Sequence, residues 1–492
     1  MIKPTKEQKK IFLFTEKRFE NLLIKARAGS GKTWTAINCA KLLPKDKSIM
    51  FLAFNKHIKE ELKVKLPDYI RCYTTYGLGL SAIKRKYGDK IEFDEFKLDK
   101  IIQKKSKSWD LDIELKDNNE ITNYLNNIKK LVNLCRLSLT LKPEYIPFLA
   151  DKHDINLRKS KDIKRVVKIL DEFSRDRKTY DYTDMVFLPA IDNGIWMFPQ
   201  DYVIIDEYQD TNRCQVRIIE KILKKDRKTG KTTGRLFVFG DDYQQIYGFN
   251  GSDEHLIKWY EKFPNTKTLP LTTSFRCAKN IIEKAKKIVP DIEAMDGAPD
   301  GIVREGSVIN EANSGDFVLC RTTMPLVKLF FEFLSKHKKV VIKGRDIGIH
   351  LIELIGSINN LTNLDSFWTT ELNKFREDLK SSGILDPNEH SGYATLQDKV
   401  NTLLFLAKLS DSIVGLKEMI KTIFTDEIKG IVLSTVHKVK GLEANKVFII
   451  RPDILPMKNV KGWQHQQEIN LEYVAITRAK LELIYDNEWS DE

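Results

Sequence analysis

Cysteine is sparse and scattered in this sequence: Cys39, Cys72, Cys135, Cys214, Cys277 and Cys320 lie far apart and form no C-x-x-C pair. Neither a zinc knuckle nor a disulfide framework follows from such spacing, so reduced, buried thiols are expected. No run approaches the about 18 uncharged apolar residues that cross a bilayer. The opening stretch MIKPTKEQKK lacks the apolar segment of a secretory signal. A membrane span and secretion are therefore not expected, and the expected address is intracellular. No segment repeats at a fixed period and none is of low complexity, which argues against a solenoid. Acidic residues are outnumbered, 69 Asp plus Glu against 82 Lys plus Arg, and the net charge of +13 favours a polyanionic partner. With 42% hydrophobic and 10% aromatic residues the chain can build cores, so global disorder is excluded. Its 492 residues suggest about three domains.

The first 80 or so residues alternate short β-rich runs with helical patterns: Asn21 to Ala26, a helix from Lys32, Ser48 to Phe54, then HIKEELKVKL. This grammar implies a parallel sheet with helices on both faces. It returns at Asp201 to Asp206 and Arg235 to Asp241, where apolar runs ending in carboxylates read as central strands delivering acids to the carboxyl edge of the sheet. From about Ile83 to Asp181 the pattern changes to Lys-rich amphipathic helices, read as an insertion. A second series begins near Thr268, passes Phe317 to Arg321 and Lys339 to Gly344, and resumes at Ile431 to Val436 and Lys446 to Ile450. A further helical stretch, about Gly348 to Lys429, interrupts it.

After the first strand comes Ala26-Arg27-Ala28-Gly29-Ser30-Gly31-Lys32-Thr33, opening a helix. Small residues let backbone N–H groups wrap phosphate oxygens, Lys32 suits the β- and γ-phosphates, and Thr33 suits Mg²⁺. Ala26 stands where the strict G-x-x-x-x-G-K-T pattern has glycine. The second piece is Asp206-Glu207-Tyr208-Gln209-Asp210 at a strand end. One carboxylate there can orient a metal's water shell and its neighbour can activate the attacking water: Asp206 for the first role, Glu207 for the second. Alone, such a pair is more often a solvated turn; downstream of the Lys32 loop it reads as catalytic.

With these residues placed, the order of further motifs resembles that of the UvrD/Rep-type superfamily 1 helicases along essentially the whole chain. Thr5-Lys6-Glu7-Gln8 is similar to the adenine-reading Q motif, Phe54-Asn55-Lys56 to motif Ia and Thr74-Thr75-Tyr76-Gly77 to motif Ib. Asp206 to Asn212 resembles motif II, Gly240 to Phe249 motif III, and Thr273-Ser274-Phe275-Arg276 motif IV. Thr435 to Glu443 resembles motif V and Glu472 to Lys480 motif VI. AFNK together with KGRDIG is similar to the F-box DNA helicase branch and to compact phage or mobile-element relatives. The sequence ends soon after motif VI, and no fused nuclease domain is expected.

The resemblance implies an α/β fold of two RecA-like parallel-sheet motor domains in tandem, each interrupted by a mainly helical insertion. The boundaries it suggests are 1–82 with 182–267, insertion 83–181, then 268–347 with 430–492, insertion 348–429. It implies ATP between the motor domains, with Gln8 on adenine, Phe275 stacked on it, and Ala28, Gly29, Ser30, Gly31, Lys32, Thr33, Gly441 and Glu443 around phosphates and ribose. Arg276 and Arg478 are expected as arginine fingers and Gln244 as the reporter of the γ-phosphate. Phe54, Asn55, Thr74, Tyr76, Tyr247, Phe249, Thr435 and His437 are expected along a single-stranded DNA groove, the rings stacking on bases whatever their identity. Phe54 reads equally as a core ring. Asn250 replaces the arginine of the family's F-R-G-A, Trp34 a frequent arginine and Tyr76 a histidine.

The implied activity is a DNA-dependent ATPase and helicase, translocating 3′-to-5′ and unwinding duplex in replication, repair or recombination. A translocase that strips protein from DNA within a larger assembly would use the same motor. ATP and Mg²⁺ are the implied cofactors. The implied partners are single-stranded DNA, single/double-strand junctions and accessory replication or repair proteins. The implied address is cytoplasmic and DNA-associated, or nuclear in a eukaryote.

Overall fold

The apolar run Asn21–Ala26 is the first strand of the computed structural model, which describes residues 3–111, 118–155, 157, 160–248, 251, 254–356, 358–381, 386–387, 390–458, 460 and 462–489. The chain divides into two compact units, Met1–Arg27 with Gly31–Leu271, and Ala28–Ser30 with Thr272–Glu492. Strands of the first are β1 (Asn21–Ala26), β2 (Ile49–Ala53), β3 (Ile70–Thr74), the two-residue β4 (Glu92–Phe93) and β5 (Thr179–Tyr180), β6 (Tyr202–Asp206), β7 (Arg235–Gly240) and β8 (Thr266–Leu271). Six of them form one all-parallel sheet in the order β3-β2-β6-β7-β1-β8, and β4 pairs with β5.

Alternate residues of each strand feed two cores, as a period of two dictates. Leu22, Ile24, Phe51, Ile204 and Phe237 face Ile11, Ala36 and Leu62 of the helices Lys6–Lys17, Lys32–Leu42 and Lys56–Lys65. Leu23, Met50, Leu52, Val203 and Leu236 face the opposite way, toward Leu78, Phe187 and Val216 of the helices Thr75–Tyr87, Asp184–Ile191 and Arg213–Ile222. Helix Thr75–Tyr87 approaches so closely that a Cβ on Gly79 would stand 1.8 Å from the Met185 carbonyl oxygen. The helical stretch expected as an insertion shares this second core through Ile101, Leu131 and Ile169. A buried ion cluster fastens it: Arg136 donates to Asp181 at 2.8 and 2.5 Å and to Asp184 at 2.7 Å, while Lys97 reaches Asp184 at 2.7 Å and Asp176 at 2.9 Å. The Arg136 guanidinium also lies 3.9 Å from the Phe173 ring centre. Every charge in the cluster has an opposite partner, which such burial requires.

The second unit holds β9 (Thr273–Ser274), β10 (Glu293–Ala294), β11 (Ile302–Glu305), β12 (Phe317–Cys320), β13 (Val340–Lys343), β14 (Phe424–Thr425), β15 (Ile431–Thr435), β16 (Ala444–Ile450) and β17 (Ala479–Asp486). Its seven-stranded sheet is again all parallel, in the order β11-β17-β16-β12-β15-β13-β14. Val318, Ile342, Leu433 and Phe448 share a core with Leu351, Leu403 and Ile420 of the helices Arg345–Ile355, Ser391–Lys408 and Ile413–Ile423. The α/β class with parallel sheets is thus the expected one. One boundary moves: the run from Thr268, expected to open the second series, completes the first sheet as β8 beside β1, and the division falls after Leu271. All six cysteines are free and buried. Among the described residues no helix is long and apolar enough to cross a membrane.

Candidate functional site

At the carboxyl end of β1 the chain turns through Gly29 and Gly31, at φ +74° and +73°, left-handed values that a side chain would strain. Gly31 is the N-cap of helix Lys32–Leu42 and no side chain caps that end, so its first N–H groups and positive dipole end stay open to an anion. The Ser30 hydroxyl in this loop is buried and has no hydrogen-bond partner among the described residues. Lys32 Nζ lies 2.5 Å from Glu207 Oε1 and 3.7 Å from Asp206 Oδ1. Thr33 Oγ1 donates to Asp206 Oδ2 at 3.1 Å. Burial opposes the Lys32 ammonium, but the Glu207 and Asp206 carboxylates outweigh it and raise its pKa. Burial likewise raises the Asp206 carboxyl, against the pull of Lys32. Uncapped amides, a buried hydroxyl, a cation and a Thr–Asp oxygen pair fit a phosphate and a hard cation shared with it.

A hydrogen-bond chain leads away from this cluster. Glu207 follows β6 in a left-handed conformation, φ +57°. Its Oε2 accepts from Gln209 Nε2 at 2.5 Å, and Gln209 Oε1 accepts from the Asp241 N–H at 3.1 Å. Asp241, at the end of β7, accepts from Gln244 Nε2 at 2.8 Å and from Arg27 Nη1 at 3.2 Å. The Arg27 guanidinium lies 4.9 Å from the Tyr243 ring centre. Burial raises the Asp241 carboxyl, and Arg27 is the first force against it. Because β6 and β7 are neighbours in the sheet, their ends bring Glu207 and Asp241 within reach of one glutamine. Neither Gln209 nor the Arg27–Asp241 pair was expected; a glutamine between the acids of DEYQD was the available signal.

The other expected residues of this unit are distributed as follows. Gln8 is buried and completes a capping box with Thr5, its Nε2 donating to Thr35 Oγ1 at 3.1 Å. Phe54 and Tyr247, both half-buried, stack with ring centres 6.1 Å apart and planes 15° apart. Phe54 is therefore paired with another motif's ring rather than enclosed in the core. Asn55 and Thr74 cap the helices that follow them, accepting from Ile58 N–H at 2.9 Å and Gly77 N–H at 3.0 Å. Tyr76 is half-buried against the core, and burial pushes its hydroxyl pKa up to about 12. Phe249 and Asn250 lie outside the described residues.

In the second unit Glu443 holds both Arg276 and Lys480, the latter at 2.8 Å. Arg276 Nη1 also donates to the Thr477 carbonyl at 3.2 Å. Arg478 turns inward: its Nε donates to Val474 O at 2.9 Å, Nη1 to Leu442 O at 3.1 Å and Nη2 to Thr477 Oγ1 at 3.2 Å. Burial, with Arg276 next, pushes the Arg478 guanidinium down to about 9. Phe275 is exposed, Gly441 is left-handed at φ +89°, and Thr435 is buried at the end of β15. His437 follows, its imidazole pushed down to about 3 by burial and then by Arg321, Lys438 and Lys440.

The UvrD/REP helicase N-terminal domain matches residues 5–265 and the UvrD-like helicase C-terminal domain matches residues 358–486. F-box DNA helicase protein 1 of Schizosaccharomyces pombe is 26% identical over 98% of this chain and 57% of its own length. F-box DNA helicase 1 of Gallus gallus is 25% identical over 97% of this chain and 48% of its own. The ATP-dependent DNA helicase Rep of Buchnera aphidicola (subsp. Acyrthosiphon pisum) is 24% identical over 66% and 51%. The chain thus spans about half the length of these relatives. With the N-terminal family domain covering more than half of the sequence, and the loop, acid pair and hydrogen-bond chain in place, the chain belongs to the UvrD/Rep helicase family.

Proposed function

We propose that this chain is an ATP-driven motor that translocates 3′-to-5′ on single-stranded DNA and separates duplex ahead of it. The observation that carries the reading is the unbroken hydrogen-bond chain from Lys32 through Glu207 and Gln209 to Asp241 and Gln244. It couples phosphate-binding groups to the segment that also bears Tyr247, the ring stacked on Phe54. In this account the loop amides and Lys32 bind the phosphates, and Glu207 takes the proton of the attacking water. When nucleotide enters, Lys32 exchanges Glu207 for phosphate, which frees that carboxylate for its role. Thr33 and Asp206 are the residues that would hold Mg²⁺, which supplies charge neutralisation on the phosphates. Gln244, linked to Glu207 through Asp241 and Gln209, passes the change to the Phe54–Tyr247 rings, on which bases stack. Arg276 meets the charge that develops on the γ-phosphate, joined by Arg478 once it exchanges its Val474 and Leu442 carbonyl partners for phosphate oxygen; Gln8 and Phe275 hold adenine, and Gly441 and Glu443 act on the ribose. Asn55, Thr74, Tyr76, Phe249, Thr435 and His437 complete the strand contacts, and segments 83–181 and 348–429 act as insertions on the two motor domains. Unwinding of duplexes carrying only a 3′ or only a 5′ single-stranded tail tests the proposal: preference for the 3′ tail supports it, and preference for the 5′ tail overturns the direction.

A further inference from the structure

The first unit carries a second built feature, at the opposite edge of its sheet from the Lys32 loop. Loop and acid pair follow the carboxyl ends of β1 and β6, and Phe54 follows the carboxyl end of β2. Near the amino ends of β2 and β3, Met50 and Arg71 instead line a cavity of about 120 Å³, closed by Leu78 and Arg85 of helix Thr75–Tyr87 and by Met197 and Phe198. The extended segment before β6 alternates: Ile195 and Met197 are buried, whereas Trp196 and Phe198 are 54% and 46% exposed. These two rings meet edge to face with centres 4.4 Å apart, and the Arg85 guanidinium sits 4.5 Å from the Phe198 centre. Arg85 also donates to the Trp196 carbonyl at 3.5 Å. Arg71 and Arg85 are both exposed, and neither has a carboxylate within ion-pair distance among the described residues. Their neighbours Lys84 and Lys86 are, by contrast, paired with Asp89 and Asp192.

Exposed aromatic rings beside an apolar cavity mark interaction surfaces, and Trp, Met and Arg are the residues such surfaces favour. We infer that this cavity is a docking site for an acidic peptide segment of a partner protein, one apolar side chain entering the cavity and flanking carboxylates pairing with Arg71 and Arg85. Charge complementarity selects the occupant: two guanidiniums with no carboxylate partner among the described residues flank a cavity lined by Met50, Leu78, Ala82, Met197 and Phe198, with the Tyr73 and Ser81 hydroxyls beside them. An apolar cavity of roughly 150 Å³ accepts a benzene ring, so this smaller one, of about 120 Å³, takes an aliphatic side chain such as leucine. A nucleobase ring, no smaller than benzene, is disfavoured in the cavity by the same measure of volume. The site is independent of the proposed motor reading.

The test uses the full chain and a fluorescein-labelled peptide of aspartate and glutamate with one central leucine. Fluorescence anisotropy is expected to show saturable binding that weakens as salt rises. Replacing the leucine by alanine in the peptide should weaken binding roughly tenfold to a hundredfold, the factor for burying one such side chain. The Arg71→Glu/Arg85→Glu double variant should lose roughly tenfold or more. Trp196→Ala, a milder change at an exposed ring, should also weaken binding, and both variants should keep the wild-type melting temperature and ATPase rate. Absence of binding, equal binding by the variants, or displacement of the peptide by an oligothymidylate would each overturn the inference.

Discussion

Gln209→Ala perturbs the site at a residue that the account keeps away from nucleotide. The side chain is buried, donating to Glu207 at 2.5 Å and accepting the Asp241 N–H at 3.1 Å. A hydrogen bond to a charged group contributes about 1.5–3 kcal/mol net, and a buried donor left without a partner costs about 1–3 kcal/mol. The first figure bears on the chemical step, since Glu207 loses the group that aims it. At 1.36 kcal/mol per decade it corresponds to a fall in kcat of roughly tenfold to a hundredfold. The second bears on stability and should appear as a lower urea midpoint. Nucleotide affinity should hold within a small factor, because Lys32, Thr33 and the loop amides are untouched. Steady-state ATPase assays separate kcat from KM, and a cycle with Glu207→Gln adds the sharper readout. Both substitutions act on one step, so their losses should combine far less than additively. A kcat within twofold of wild type, or losses that add in full, would refute the positioning role.

Other outcomes follow from the same geometry. Glu207→Gln should keep nucleotide binding and lose most turnover, whereas Lys32→Ala should lose binding; equilibrium binding of a labelled ATP analogue beside ATPase rates distinguishes them. Arg27→Leu strands the buried Asp241 carboxylate and should cost about 3–5 kcal/mol near neutral pH. Burial already holds the Asp241 pKa above its ordinary value, and loss of Arg27 lifts it further. Between the unfolded and folded pKa values the native state then keeps a proton that the unfolded state lacks, so stability falls as pH rises. Urea midpoints should therefore show a deficit smallest in acid and largest at neutral pH; the reverse trend would contradict the buried pair. Phe54→Ala should weaken single-strand affinity by about 1–3 kcal/mol while leaving the slope of log affinity against log salt nearly unchanged.

What the sequence disclosed is what chemistry writes locally. The runs that became β1, β2, β6, β7, β12, β13, β15 and β16 are nearly continuous in apolar residues because both faces of each are covered. The strands β3 and β17 escaped notice, and β8 was read as the opening of the second series, for identifiable reasons. β3 and β8 are edge strands, with Arg71 exposed on one and Pro270 within the other, and β17 alternates Lys480, Glu482 and apolar residues. The Lys32 loop and the Asp206–Glu207 pair were legible because each is contiguous. The partnership of Arg27 with Asp241, 214 positions apart, was not, since it depends on β1 and β7 lying side by side. Side-chain direction was equally hidden. Gln8 serves a capping box and Arg478 hydrogen-bonds carbonyls of its own unit, arrangements that follow from packing rather than from residue type. Helical periodicity in segments 83–181 and 348–429 announced a buried face without saying that the sheets' own cores cover it.

The most direct test of the motor reading is ATP turnover by the full chain with and without single-stranded DNA. The account predicts slow hydrolysis by the protein alone and strong stimulation by single strands, because stacking on Phe54 and Tyr247 is linked through Gln244, Asp241 and Gln209 to Glu207. Turnover that is the same with and without the strand would contradict it.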